Sequence, residues 1–351
     1  MDAVSYINAS PEDLRADPAG ICRRNRFLVD ASAPSIGSKI DPSVAADWAP
    51  PNIVSLPIGT TLKDYFTHSP LEVPGAGGSL EVPSGGISLF GSIYLLYVGH
   101  SEFEIDHMGK SFLAKWASPS RVGPPDLQVL WTLDDALLVG YENLRFINVS
   151  PVASESYLYL FGTGDLRRQS GVFLARLPLT KPAIETGEDL EYYAGDGQWS
   201  PARSSAVRLI SDPYMAEVDV KYVPELSKWL MLYAIDPLPA GRDRPLEAAS
   251  ENSVYIRVAD RPDGPWSPPA TIINRMDPAY ASVCADTVPN CAIASFYAPY
   301  IYPHLTNVAV HAATTTAELW FQLSTWNPYR TVFMRTVIEL PNANTTRERG
   351  N

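Results

Sequence analysis

The 351-residue sequence predicts an all-β fold of the propeller type. Three observations predict it. Apolar runs of about five to eight residues are bounded by Gly, Pro and Asp, which suits strands better than helices. A hairpin plan recurs four times along the chain, and each hairpin is preceded by one more strand-like segment. The first three hairpins are also followed by another such segment, giving four strands per unit. Repeated four-stranded units with little helical periodicity are the mark of propeller blades. One such sheet cannot bury both faces alone, whereas sheets stacked side by side bury one another's.

The first unit opens with "VPSGGISL" from Val82, where Gly85 and Gly86 predict a tight bend in an inner strand rather than an anion-binding nest. Its hairpin is "IYLLYVGHSEFEIDHMGKSFLAKW" (93–116), and "LQVLWTL" (127–133) follows. The second unit runs through "INVSPVAS" from Ile147, the hairpin "LYLFGTGDLRRQSGVFLARL" (158–177) and "LEYYAG" (190–195). The third starts with "EVDVKYVPEL" from Glu217, continues through "WLMLYAID" (229–236) and, after a charged insertion, "SVYIRVAD" (253–260), and closes with "ATIIN" (270–274). The fourth consists of "APYIYPHLT" from Ala298 and the hairpin "LWFQLSTWNPYRTVFMRTV" (319–337) before the polar "ELPNANTTRERGN". It lacks a local outer strand, and an open edge invites mispairing, so "AVSYIN" (3–8) or "RFLVD" (26–30) is expected to supply one. The predicted organisation is one propeller domain over 1–340. Within it, 1–32 is a remnant of a first blade or the closing strand, 33–80 an extended connection and 81–340 four blades; 341–351 is a polar tail.

Charge narrows the partners. The 27 basic and 39 acidic residues give a net charge of −12, which opposes a nucleic-acid backbone, and the densest basic run, "CRRNR" at 22–26, reads as a solvated turn. No apolar segment approaches the roughly 20 residues needed to cross a bilayer, so neither nucleic acid nor membrane is an expected partner. The start, "DAVSYINASPEDL", has neither the basic nor the apolar stretch of a secretory signal. Cys284 and Cys291 bracket "CADTVPNC" as either a local disulfide or two thiols, with Cys22 left over. His100 and His107 read as loop residues, and no Cys or His cluster has metal-ligand spacing, so no metal or other cofactor is expected. Asn8, Asn148 and Asn344 open N-x-S/T triplets, the middle one weakened by Pro151. There is no G-x-S-x-G elbow, phosphate-binding loop or dinucleotide fingerprint.

Propeller ligands gather where inner strands and inter-strand loops meet at one end of the channel. Glu217 and Asp219 lie two apart on an inner strand and hence on one face. The pair could position sugar hydroxyls or share acid and base roles; the alternative is that Glu217 is a structural carboxylate held by a neighbouring blade's backbone N–H groups or an Arg. Asp165 and Arg168 in "GDLRRQ" suit the hydroxyls of a sugar ring, or an exposed salt bridge. Tyr297, Tyr300, Trp326 and Asn327 combine flat apolar faces with polar tips, fit for a sugar or for an inter-blade plug.

"VPSGGISL…IYLLYV…MGKSFLAK", "INVSPV…YLYLFGTGDLRRQSGVFLARL", "EVDVKYVPELSKWLMLYA…DRPDGPWSPP" and "YAPYIYPHLT…FQLSTWNPYRTVFMR" together resemble a large domain-of-unknown-function family of bacteria and fungi. Its characterised relatives are endo-D-arabinanases, five-bladed propellers that cleave the α-D-arabinofuranose chains of mycobacterial cell walls. The resemblance spans about residues 80–340. It implies a five-bladed propeller with an incomplete first blade; a four-bladed ring closed by an N-terminal strand is the alternative. It further implies a glycoside-hydrolase-like, extracellular protein that acts on or binds a furanose polysaccharide or oligosaccharide such as D-arabinan. A non-catalytic carbohydrate-binding propeller and a truncated inactive family member are the alternatives. In the family the catalytic aspartates belong to a Gly-Thr-Asp-Leu-Gly-like strand and a strand ending Phe-Gly-Asp-Thr, both in the first blade, and neither motif occurs here. "FGTGD" at 161–165 falls in the third of the five family blades, so the catalytic role does not pass to Asp165.

Overall fold

A computed structural model describes residues 80–100, 108–117, 127–164, 170–235, 253–274, 295–311, 313–326 and 330–341. The predicted closing strands at 3–8 and 26–30, Cys22, Cys284 and Cys291, and the triplets at Asn8 and Asn344 lie outside these residues. The first sheet is an antiparallel meander of β1 (Leu80–Leu89), β2 (Ser92–His100), β3 (Met108–Trp116) and β4 (Leu127–Asp135). Phe90 and Gly91, both at positive φ, turn β1 into β2 as a two-residue hairpin whose twist matches its strands. The predicted bend in β1 is a register shift between Pro83 and Gly85. There a Cβ on Gly85 would fall 2.3 Å from the Val149 carbonyl oxygen, so the glycine lets β1 press on the next sheet.

A nine-stranded sheet follows, whose two units are called the second and third sheets; the second contains β5 (Asn148–Ala153), β6 (Tyr157–Thr163), β7 (Ser170–Pro178), β8 (Glu191–Gly195) and the short β9 (Gln198–Ser200). The third has β10 (Arg208–Val223), β11 (Lys228–Ile235), β12 (Ser253–Ala259) and β13 (Ala270–Asn274). The fourth has β14 (Ser295–Ile301), β15 (Asn307–Val310), β16 (Thr314–Trp326) and β17 (Arg330–Pro341). All four predicted hairpins form, as β2–β3, β6–β7, β11–β12 and β16–β17.

Successive sheets stack, and their first strands lie side by side: β1 against β5, β5 against β10, β10 against β14. One apolar core fills each seam. Tyr94, Leu96 and Leu113 of the first sheet meet Phe146, Leu158, Leu160 and Leu177 near the second. Phe161, Val172 and Leu174 meet Val220, Trp229 and Met231 between the second and third. Leu230, Leu232 and Ile256 meet Phe296, Leu319 and Phe321 between the third and fourth. This explains why "WLMLYAI" carries no polar alternation. Trp229, Met231 and Tyr233 of β11 face one core while Leu230, Leu232 and Ala234 face the other. Both faces of the strand are covered, as in any doubly packed sheet.

Among the described residues, two short helices support the stack. α1 (Ala136–Val139) follows β4, and α2 (Lys181–Thr186) follows β7. Glu185 of α2 accepts hydrogen bonds from Lys115 Nζ at 2.6 Å and Tyr94 Oη at 3.0 Å, tying the second sheet to the first.

Three details depart from the sequence reading. β10 starts at Arg208, well before Glu217, because its first half pairs with β7 beyond the point where β8 leaves that edge. The second and third units thereby share one nine-stranded hydrogen-bonded sheet. Asp212 and Pro213 sit between the irregular pairs Ile210↔Val172 and Met215↔Ser170, which is how a proline is accommodated there. In the fourth unit the first strand is split: β14 and β15 pair with different halves of the same edge of β16. Finally, Asn148 is a buried residue of β5, so its triplet is not an accessible glycan acceptor.

Candidate functional site

The first strands of the third and fourth sheets bring four predicted site residues to one seam, Glu217 and Asp219 on β10 and Tyr297 and Tyr300 on β14. Both strands are irregular at this point. β10 shifts register between Met215 and Val218, and β14 between Tyr297 and Tyr300. Within the β14 bulge Ala298 takes φ of +47°, a conformation costing about 1–3 kcal/mol for a residue with a Cβ. Bulges re-aim backbone and side chains, and here the re-aimed groups are two N–H donors. Ala298 N–H donates to Glu217 Oε2 at 3.4 Å, and Ile301 N–H to Asp219 Oδ2 at 2.8 Å.

Asp219 reaches further. Its Oδ1 accepts from Ser150 Oγ at 3.2 Å and from Lys221 Nζ at 2.6 Å, while Ser150 Oγ accepts from the Val220 N–H at 2.9 Å. One carboxylate therefore joins β5, β10 and β14. Burial works most strongly against the charge on Lys221, but Asp219 and Tyr300 beside it together outweigh that and hold the ammonium above the ordinary lysine range. The same ammonium lies 4.4 Å from the centroid of the Tyr300 ring. Tyr300 meets Tyr302 edge-on at 5.3 Å, and the Tyr302 hydroxyl donates to Gln322 Oε1. Burial pushes the Tyr300 hydroxyl up. Tyr300 nonetheless remains 38% exposed, whereas Tyr297 is buried.

Chemically, Asp219 already accepts three hydrogen bonds in a buried place, one of them the salt bridge to Lys221, which is the geometry of a latch. The group turned outward is Tyr300, set on a fixed cation and a second ring. Of the other predicted residues, Trp326 ends β16 opposite Ser295, and Asp165, Arg168 and Asn327 lie outside the described residues. Ser150, Lys221, Tyr302 and Gln322 were missed. Lys221 had a signal, since the two-residue step from Glu217 to Asp219 continues to it. Ser150 had none, because its partner is 69 positions away.

A second latch shows that the device is general. Asp134, at the end of β4, accepts from the N–H groups of Arg145 at 2.6 Å and Phe146 at 2.7 Å, and its other oxygen is held by Arg203. A buried carboxylate thus ties the first sheet to the second much as Asp219 ties the third to the fourth.

Stacked antiparallel sheets, a core in each seam and adjacent first strands define an all-β protein of the propeller type. The number of blades in the whole chain depends on residues outside those described. The chain belongs to the domain-of-unknown-function family DUF4185, which matches residues 77–335. No curated protein matches it. Among solved structures it is similar to a presumed hydrolase from Bacteroides ovatus, with 14% identity and a TM-score of 0.46 over 78% of this chain and 63% of that one. It is also similar to an exo-1,5-α-L-arabinanase from a bovine ruminal metagenomic library, with 12% identity and a TM-score of 0.40 over 77% and 80% of the two chains. An endo-1,5-α-L-arabinanase from Thermotoga petrophila gives 13% identity and a TM-score of 0.38 over 75% and 58%. The chain therefore spans less than two thirds of the length of two of these three proteins.

Proposed function

We propose that this chain is a glycoside-hydrolase-like, carbohydrate-binding propeller whose ligand is a furanose polysaccharide such as D-arabinan. Its described residues supply recognition rather than acid–base chemistry. The observation that carries this reading is the β14 bulge, which turns Tyr300 outward while Lys221 and Tyr302 fix its ring. A flat ring with a polar tip, held rigid before the ligand arrives, loses little entropy on stacking against the C–H side of a sugar. Glu217 and Asp219 serve as positioning groups for that ring, since both hold the backbone of the bulge. Further support comes from the sequence motifs shared with the arabinanase-containing family.

The test is a binding and product-release screen with D-arabinan and L-arabinan oligosaccharides. Binding is expected to fall about tenfold or more in Tyr300→Ala, the loss of one stacking contact plus its hydroxyl. If Asp219→Asn kept the wild-type melting temperature yet abolished turnover, Asp219 would be a catalytic group and the recognition reading would fail.

A further inference from the structure

A concavity lies in the seam between the second and third sheets and uses none of the residues around Tyr300. It encloses about 270 Å³ and is lined by Tyr159 of β6, Arg176 of β7, Trp199 of β9, and Arg261, Pro262 and Asp263 from the turn after β12. That volume falls just under the range of about 300–1,000 Å³ typical of small-molecule sites, so it suits one ring rather than a chain.

Its walls are fixed. The Arg176 guanidinium lies 4.0 Å from the Trp199 ring centroid and 4.3 Å from that of Tyr157, and its Nε and Nη2 both reach Glu191 Oε2, at 2.8 and 2.7 Å. Trp199 is braced by Tyr193 at 5.6 Å, and Tyr159 stands edge-on to Trp229 at 5.5 Å. Across the opening, Arg261 forms a fork with Asp263, Nε to Oδ1 at 3.1 Å and Nη2 to Oδ2 at 3.2 Å. The Arg261 side chain is 64% exposed and that of Asp263 14%, and a pair with one partner this open adds little to stability.

Each guanidinium already has a carboxylate beside it, so the pocket is not a trap for anions. What it offers is a donor next to an acceptor, the complement of adjacent hydroxyl groups, each of which can accept from Arg and donate to Asp. The aromatic rings offer the matching apolar surface. We propose that this pocket is a second glycan-binding site. It takes one neutral sugar residue of a polysaccharide, with the C–H face of the ring on Trp199 and Tyr159 and neighbouring hydroxyls on the Arg261–Asp263 pair. Such a site goes beyond the seam at Tyr300 and would hold a chain at a second point, raising its effective affinity without new contacts at the first.

The experiment titrates the full chain with arabino- and galacto-oligosaccharides as neutral probes and with polygalacturonate as the anionic one, by calorimetry at low and high salt. Neutral binding that resists salt is expected, weakened by about tenfold or more in both Trp199→Ala and Arg261→Ala, as fits loss of a stacking ring or of a charged hydrogen-bonding fork. Arg261→Ala is the variant that keeps the test decisive if Trp199→Ala fails to fold. No binding of any neutral probe, binding untouched by Arg261→Ala, or a preference for polygalacturonate that vanishes in salt would each overturn the proposal. Failure of the reading at the first seam shows separately, as an isotherm that Tyr300→Ala does not alter.

Discussion

At the seam of the third and fourth sheets, the Asp219 and Lys221 side chains are 6% and 14% exposed, and backbone N–H groups and a serine surround them. At the pocket of the second and third sheets, the Arg261 side chain is 64% exposed and Asp263 14%, beside Trp199 with the Arg176 guanidinium over its ring. Both places combine a carboxylate, a cation and a tyrosine. In the first, the charged groups are consumed by the fold and only Tyr300 faces outward. In the second, Arg261 engages Asp263 and, at 3.3 Å, the Gly264 carbonyl oxygen, both within its own turn. The same letters therefore mean cohesion in one seam and recognition in the other, and the number of protein partners each charge has already engaged tells them apart.

That contrast can be broken by mutation. The largest effect is expected from Asp219→Ala, which strands a buried ammonium and two donors at once. It should cost about 3–5 kcal/mol in denaturant unfolding, whereas a loss below about 1 kcal/mol would mean the latch is not structural. Next comes Lys221→Met, read as a function of pH. Lys221 binds its proton more tightly folded than unfolded, so its contribution is fully present below the ordinary lysine value of about 10.4 and is lost as pH rises through the higher folded value. Unfolding measured between about pH 9 and 11.5 should show a falling limb in the wild type that is shallower in the variant; parallel limbs would remove Lys221 from the account. Tyr300 contributes to that limb with the same sign. Glu217→Gln should cost only about 1 kcal/mol, because the amide oxygen can still accept from Ala298 N–H. The smallest change in stability belongs to Arg261→Ala, within about 0.5 kcal/mol, even as glycan binding drops.

Much of the fold was legible. Each hairpin consists of apolar runs closed by polar turns, and the doubly covered strands of the middle sheets announce themselves by lacking alternation. The convergence of Glu217, Asp219 and Tyr300 was legible too, since inner-strand residues two apart share a face and successive first strands adjoin. The backbone N–H engagement of Glu217 was legible as one alternative; what could not be read was how Asp219 would be engaged. The partners of Asp219 include a main-chain N–H at Ile301, which no side-chain pattern reveals, and Ser150 on a distant strand. The split of β14 from β15 was hidden for a similar reason, because it depends on how the long β16 shares its edge. The pocket was invisible as well. Trp199 sits on a three-residue strand and Arg261 in a turn, and only the stacking of two sheets brings them together.

The double-faced composition of β11 has one more consequence. A strand with one wet face is kept in place by polarity, since sliding it by a single residue would push charges inward. The interior of β11 has a single polar anchor of this kind, the Tyr233 hydroxyl, which donates to Asp212 Oδ2 and accepts from Arg257 Nε; otherwise the slide exchanges Trp229 and Met231 for Leu230, Leu232 and Ala234. Size therefore sets the alignment together with that one hydroxyl, a broad-sided space on one flank and a narrow one on the other, each refusing the wrong set of side chains. Equalising the two flanks, by trimming Trp229 and enlarging Ala234, would leave the chain with two near-equivalent ways to zip this sheet.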